Sequence, residues 1–87
     1  MVNKLWHDSR EHPKDGSSII IVHDYFNWGK DQVESVCYYE DYQEHFGGRI
    51  YHHYNVFMRY GRSYDYWDKW AWKIKKWCYS EDLLKME

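Results

Sequence analysis

Long apolar runs are missing from this chain. No stretch approaches the ~20 residues that a membrane-spanning helix needs, and the N-terminal MVNKLWHDS has no apolar signal region. Both absences lead us to expect a cytoplasmic protein. Cysteine occurs only at Cys37 and Cys78, with no CxxC pair and no metal-ligand spacing, so two reduced, partly buried thiols are expected. Leucine, isoleucine and valine are scarce, and an aliphatic core alone cannot hold the domain together. Nineteen aromatic residues fill that gap. One buried Trp or Tyr removes roughly 150–250 Å² from water, so a few replace many aliphatics. A disordered chain would lack them.

Eighty-seven residues make one domain, residues 1–87. A chain this short buries only about 60% of its unfolded surface, which leaves a thin stability margin. Neither sign of charge dominates the whole, at −2 net. The halves differ: residues 1–48 carry four basic and nine acidic side chains, and residues 49–76 carry seven basic and two acidic. Such polarity can steer association with a partner, and it can equally serve two halves that pack together.

Along the chain, Pro13 and the Lys14-Asp15-Gly16 turn close an extended opening loop. SSIIIVHDYF, residues 17–26, has four successive β-branched aliphatics between turn signals, which predicts a buried strand. After the turn NWGKD, residues 32–40 form a second strand with Val36 and Tyr38 on one face and Val33, Cys37 and Tyr39 on the other, making an antiparallel hairpin. Residues 41–48, DYQEHFGG, look like a loop. RIYHHYNVFMRY, 49–60, fits either period, and its β-branched and aromatic content favours a strand. GRSYD, 61–65, reads as a turn.

WDKWAWKIKKWCY, residues 67–79, holds four of the six tryptophans. Trp67, Trp70, Ile74 and Trp77 make a helical stripe. Trp70, Trp72 and Ile74 alternate as in a strand, out of phase with Trp77 and Tyr79. A bulge at Lys75-Lys76 reconciles the two halves, so a bulged strand with Trp72 and Ile74 in the core is expected. SEDLLKM, 80–86, predicts a short helix capped by Ser80 and anchored by Leu83 and Leu84.

Catalytic and metal motifs fail on geometry, and no catalytic residue, metal ligand or cofactor is assigned. Neighbouring side chains in His7-Asp8-Ser9 diverge and cannot form a relay. His52 and His53 face opposite sides of a strand. His23 and Cys37 could meet across the hairpin, but nothing forces it. Glu40-Asp41 reads as a solvated pair and Glu81-Asp82 as helix capping. Gly47-Gly48 lacks the helix and Lys-Ser/Thr of a phosphate loop. The constellation that stands out is basic and aromatic: Arg59, Arg62, Tyr64, Tyr66, Trp67, Lys69, Trp70 and Lys73, followed by Lys75 and Lys76. It has three readings. The tryptophans are core and the lysines their solvated face; or the set is a protein-binding surface, where Trp, Tyr and Arg dominate the energetics; or it is a single-stranded nucleic-acid surface of stacking rings in a positive groove.

Both ends of the chain carry a resemblance. Trp6-His7-Asp8, Pro13, Gly16 and the strand Ile19–Val22, together with Trp77-Cys78-Tyr79-Ser80-Glu81-Asp82-Leu83-Leu84, resemble the small DUF551-like proteins of phages and other mobile elements, in the variety found in gut Bacteroidetes. The resemblance implies a small, β-rich, cytoplasmic protein without an assigned activity, and Trp6 packed near Trp77. Residues 41–66 stand outside that pattern as an insertion rich in Tyr, His and Arg.

The expected fold is α+β, mainly β: a small antiparallel sheet of three to five strands with a short C-terminal helix. The expected function is non-enzymatic binding of a protein partner through the basic/aromatic surface, with inhibition of a host system as one form. Single-stranded nucleic-acid binding is the alternative, and self-association through an exposed patch or sheet edge is a further expectation.

Overall fold

The computed structural model describes residues 5–25, 29–59 and 63–85. It is mainly β, as expected: β1 (Ser18–His23), β2 (Gln32–Phe46), β3 (Arg49–Arg59), β4 (Ser63–Tyr66) and β5 (Ile74–Tyr79) form one antiparallel sheet in the order β4-β3-β2-β1-β5. A one-turn helix, α1 (Trp67–Trp70), follows β4, and α2 (Ser80–Leu84) closes the chain. His7 adds a single antiparallel bridge to Trp77 beyond β5.

The hairpin β1–β2 pairs Ile19 with Val36 and Ile21 with Glu34. One face of the sheet gathers the core: Ile19, Ile21, Val36, Tyr38, Phe57, Ile74 and Trp77, with Trp67 and Trp70 laid over it from α1. Four residues cannot sustain a helix alone, so α1 owes its existence to these two rings. Trp67 meets Tyr38, Phe57 and Trp77 edge-on at 5.5, 6.0 and 6.2 Å, and Trp70 stacks on Tyr25 at 4.2 Å.

Four expectations need correction. The polar stretch 41–48 is strand up to Phe46, and only Gly47-Gly48 turns, with φ of 59° and 77°. Those values suit a two-residue hairpin turn. The stretch reads as a loop because both faces of this ribbon meet water. Residues 63–65 belong to β4 instead of a turn; Tyr60, Gly61 and Arg62 lie outside the described residues. The bulged strand begins only at Ile74. Its pairing slips between Val22↔Lys76 and His23↔Ile74, which leaves Lys75 as the extra residue. The bulge therefore stands, while Trp72, upstream of it, is 75% exposed with the Lys73 ammonium over its ring. Finally, α2 has no side-chain cap, because Tyr79 and not Ser80 holds the N-cap position; the Ser80 hydroxyl bonds Ser18, and Leu83 and Leu84 are exposed.

Trp6 does not reach Trp77. His7 stacks on Trp77 at 4.4 Å, so Trp6, one residue earlier, turns to the other side and lies under Lys76 at 4.5 Å. Trp6 is half-buried, so its truncation loses some buried area as well as a cation–π contact. Trp6→Ala is accordingly expected to cost about 2 kcal/mol in a denaturant titration, below a fully buried core tryptophan.

Tyr38 anchors the loop 5–16 to the sheet. Its phenol donates to Asn55 Oδ1 at 2.7 Å and lies 3.1 Å from His12 Nδ1. Burial, then the Glu40 carboxylate, pushes its pKa from 10.0 to about 12. A folded-state value above the unfolded one gives stability that is whole below pH 10 and lost as pH rises through 12. The loss is on the order of 2 kcal/mol. Denaturation midpoints taken across that window should fall less steeply for Tyr38→Phe than for the wild type; an equal fall would remove Tyr38 from the account.

Candidate functional site

The basic/aromatic residues do not form one surface. Trp67 and Trp70 are 0% and 1% exposed. Trp67 Nε1 donates to the Ser9 carbonyl at 2.9 Å, which spends its polar handle inside the fold. Arg59 is buried as well. It donates from Nη2 to Glu34 and from Nη1 to Asp65, both at 3.1 Å, with its guanidinium 4.7 Å from the Trp70 ring centre. Glu34 also holds His23, which is fully buried. Burial works to lower the Arg59 pKa, and the bonds to Glu34 and Asp65 outweigh it and raise the value. The result is a permanently charged, internally compensated cluster. Three of the eight expected surface residues are therefore structural. Lys69 is exposed. Lys73 is half-buried against Trp72 and 3.9 Å from Asp24. Arg62 lies outside the described residues. Lys75, another member of the positive stretch, pairs with Asp31 at 2.7 Å.

Tyr64 and Tyr66 alternate with Asp65 on β4 and so stand on the opposite side of the sheet. There they meet His53, weighed from the sequence only as a metal ligand, and Tyr42 and Glu44, which the sequence did not single out. His53 Nδ1 lies 2.8 Å from Tyr66 Oη, and its Nε2 lies 3.1 Å from Glu44 Oε1 and 3.4 Å from Tyr64 Oη. Tyr42 packs on both His53 and Tyr64. Burial, then the Glu44 carboxylate, raises the Tyr64 pKa, so its phenol stays protonated. This is a collar of rings at the root of a hairpin.

Beyond the collar, β2 and β3 continue alone as a two-stranded arm. Pairing holds from Asp41↔Tyr54 to Phe46↔Arg49, while β1 and β4 stop short of it. At the arm's root the bridge between Glu40 and Asn55 is missing and Asn55 has φ of 55°. The strict alternation breaks there: Tyr39 and Tyr42, three residues apart, bring their rings to 5.9 Å. The arm carries Phe46, Ile50, Tyr51 and Tyr54 in the open, with Phe46 75% and Tyr54 60% exposed. Its ions are Glu40, Asp41 and Glu44 against Arg49, so it is acidic although it lies next to a basic stretch. His52 accepts the company of Asp41 at 3.0 Å and stacks on Tyr54.

Among the described residues no three His, Cys, Asp or Glu side chains gather in a metal-binding group. His23 and Cys37 sit at opposite ends of the β1–β2 pairing. His7 turns to Glu11 at 2.9 Å and Asp8 to Arg10, so His7-Asp8-Ser9 is loop structure. Both cysteines are free thiols. Among the described residues, no helix is long and apolar enough to cross a membrane.

The one signal for the arm was the Gly47-Gly48 pair between two aromatic-rich segments, which is hairpin chemistry. The chain matches no family model, and no curated protein and no solved structure matches it.

Proposed function

We propose that this chain is a small non-enzymatic interaction module of a phage or mobile element that binds a protein partner through its β2–β3 arm. The observation that carries the reading is the arm's exposed apolar set, Phe46, Ile50, Tyr51 and Tyr54. An isolated two-stranded ribbon is marginal in water, and exposed aromatics grouped on one element mark interaction sites. The mobile-element part rests on the DUF551-like residues at the two chain ends, and inhibition of a host system is its concrete form. The contact surface thus moves from the basic/aromatic set to the arm, with Tyr66 at its root the member that both share.

Affinity purification from the host, with mass spectrometry, tests it. A Phe46→Ser/Tyr51→Ser variant should fold as the wild type does, because both side chains are exposed, and should lose the proteins that the wild type retains. Retention of the same proteins by the variant would sink the reading.

Exposed Trp72 under the Lys73 ammonium, in a stretch of sequence that also carries Lys69, Lys75 and Lys76, favours a second reading, single-stranded nucleic-acid binding. Asp24 and Asp31 offset part of that charge. A fluorescence titration with oligonucleotides separates the two: this reading requires binding at low salt that weakens steeply as salt rises.

A further inference from the structure

The arm leaves a strand edge open. β3 pairs with β4 only from Val56 to Arg59, so residues 49–55 have β2 on one side and, among the described residues, no strand on the other. Alternate residues of such an edge point N–H and C=O outward, a template for another strand. The opposite edge, on β2, is guarded. Gly16 N donates to Tyr38 O, Tyr38 N to Ser17 O, and Glu40 N to the Asp15 carboxylate. Farther out, β2 carries Asp41 and Glu44. The β3 edge has no such guard along residues 50–54, which are Ile, Tyr, His, His and Tyr, without lysine, carboxylate or proline; Asn55, with φ of 55°, breaks the regular strand only at the arm's root.

We propose that a second copy of this chain fills this edge, β3 pairing antiparallel with β3 of its partner about a two-fold axis at His52. The inference rests on the arm being the contact element and names its occupant. The edge is self-complementary in that register. Ile50 of each copy faces Tyr54 of the other, Tyr51 faces His53, and Arg49 faces Asn55. Aromatic and β-branched side chains make favourable cross-strand pairs, the two His52 rings face each other on the axis, and with histidine neutral no like charges meet. The open slot runs from the Gly47-Gly48 turn to Val56, where Tyr66 of β4 begins. It is as long as the segment that would fill it. A two-fold interface of this kind closes on itself as a dimer.

Sedimentation equilibrium of the full chain across a wide concentration range tests the proposal. The wild type should pass from monomer to dimer as concentration rises. In Ile50→Lys/Tyr54→Lys, lysine faces lysine twice across the axis, and dimerisation should weaken by about a hundredfold or more. In Ile50→Glu/Tyr54→Lys, glutamate faces lysine and the dimer should return. Within one chain, position 50 faces His45 and position 54 faces Asp41, so neither variant sets like-signed carboxylates or lysines opposite each other in the hairpin. Matching circular dichroism spectra establish that both fold. A wild type that stays monomeric, a dimer indifferent to the lysine pair, or a charge-swapped variant that stays monomeric would each overturn the proposal. A monomeric wild type whose arm still retains host proteins overturns the dimer alone and leaves the proposed function in place.

Discussion

Trp67→Ala is expected to cost about 3–5 kcal/mol, read as a shift in the urea midpoint at constant slope. Trp67 is fully buried under α1 and touches three other core rings, Tyr38, Phe57 and Trp77. Truncation leaves a cavity roofed by a four-residue helix that keeps only Trp70 as a buried anchor, and the Ser9 carbonyl loses its indole donor. Trp77→Ala should cost a similar amount. Its Nε1 donates to both Asp8 and Glu11 carbonyls, at 3.0 and 2.9 Å, so its removal takes two of the bonds that tie the opening loop to the sheet. Small domains have about 5–15 kcal/mol in total, and one of 87 residues stands near the lower end. Either variant therefore retains only about 0–2 kcal/mol and unfolds in little or no urea. Trp72→Ala is the control. It removes an exposed ring and should change stability by no more than about 0.5 kcal/mol. Equal losses for Trp67→Ala and Trp72→Ala would contradict the placement of α1.

The second large effect is expected from Arg59→Met, at about 3–5 kcal/mol. Methionine fills much of the arginine's volume but removes the charge between Glu34 and Asp65. Glu34, which bonds the fully buried His23, and Asp65 then both lose the guanidinium they share. Leaving buried charge uncompensated is costly, whereas removing both sides of a pair is often close to neutral. Arg59→Met combined with Glu34→Gln should thus be more stable than Arg59→Met alone, and a double-mutant cycle reads that difference. Strict additivity of the two losses would mean that the Glu34–Arg59 contact carries no energy.

Much of the architecture was legible from short-range pattern. The run Ile19–Val22 and the alternation of Val36 and Tyr38 specify the β1–β2 hairpin and its inner face. The phase break at Lys75-Lys76 marked a bulge that sits at Lys75. What escaped was tertiary. The Trp67, Trp70, Ile74, Trp77 stripe has helical spacing, yet only its first two members are helical. It is a list of what points inward across a helix, a turn and a strand. Trp72 matched a strand pattern and is outside, because α1 and the following turn reset the phase before Ile74. Residues 41–48 looked like a loop because polarity on both faces is what a solvated ribbon and a loop share.

The binding set failed for a similar reason. Composition records that Arg59 is basic, and says nothing of Glu34, 25 residues earlier, which takes up its charge. Trp and Arg are enriched at interfaces and equally able to serve as core when aliphatics are scarce. The collar of Tyr42, His53, Tyr64 and Tyr66 depends on the sheet order β4-β3-β2 and had no local signal. The arm had one, Gly47-Gly48, and its exposed Phe46, Ile50, Tyr51 and Tyr54 follow only once β1 and β4 are seen to end early.

The central claim is a division of the aromatics: tryptophans of α1 and β5 inside, the ring-bearing arm outside. Hydrogen exchange of the indole N–H groups, followed by NMR, tests it most directly. Trp67 and Trp77 donate to backbone carbonyls under the sheet and should exchange only on global unfolding, while exposed Trp72 should exchange at the rate of a free indole. Fast exchange at Trp67 would put the basic/aromatic segment back on the surface, and protection at Trp72 would bury a ring placed outside; either result contradicts the account.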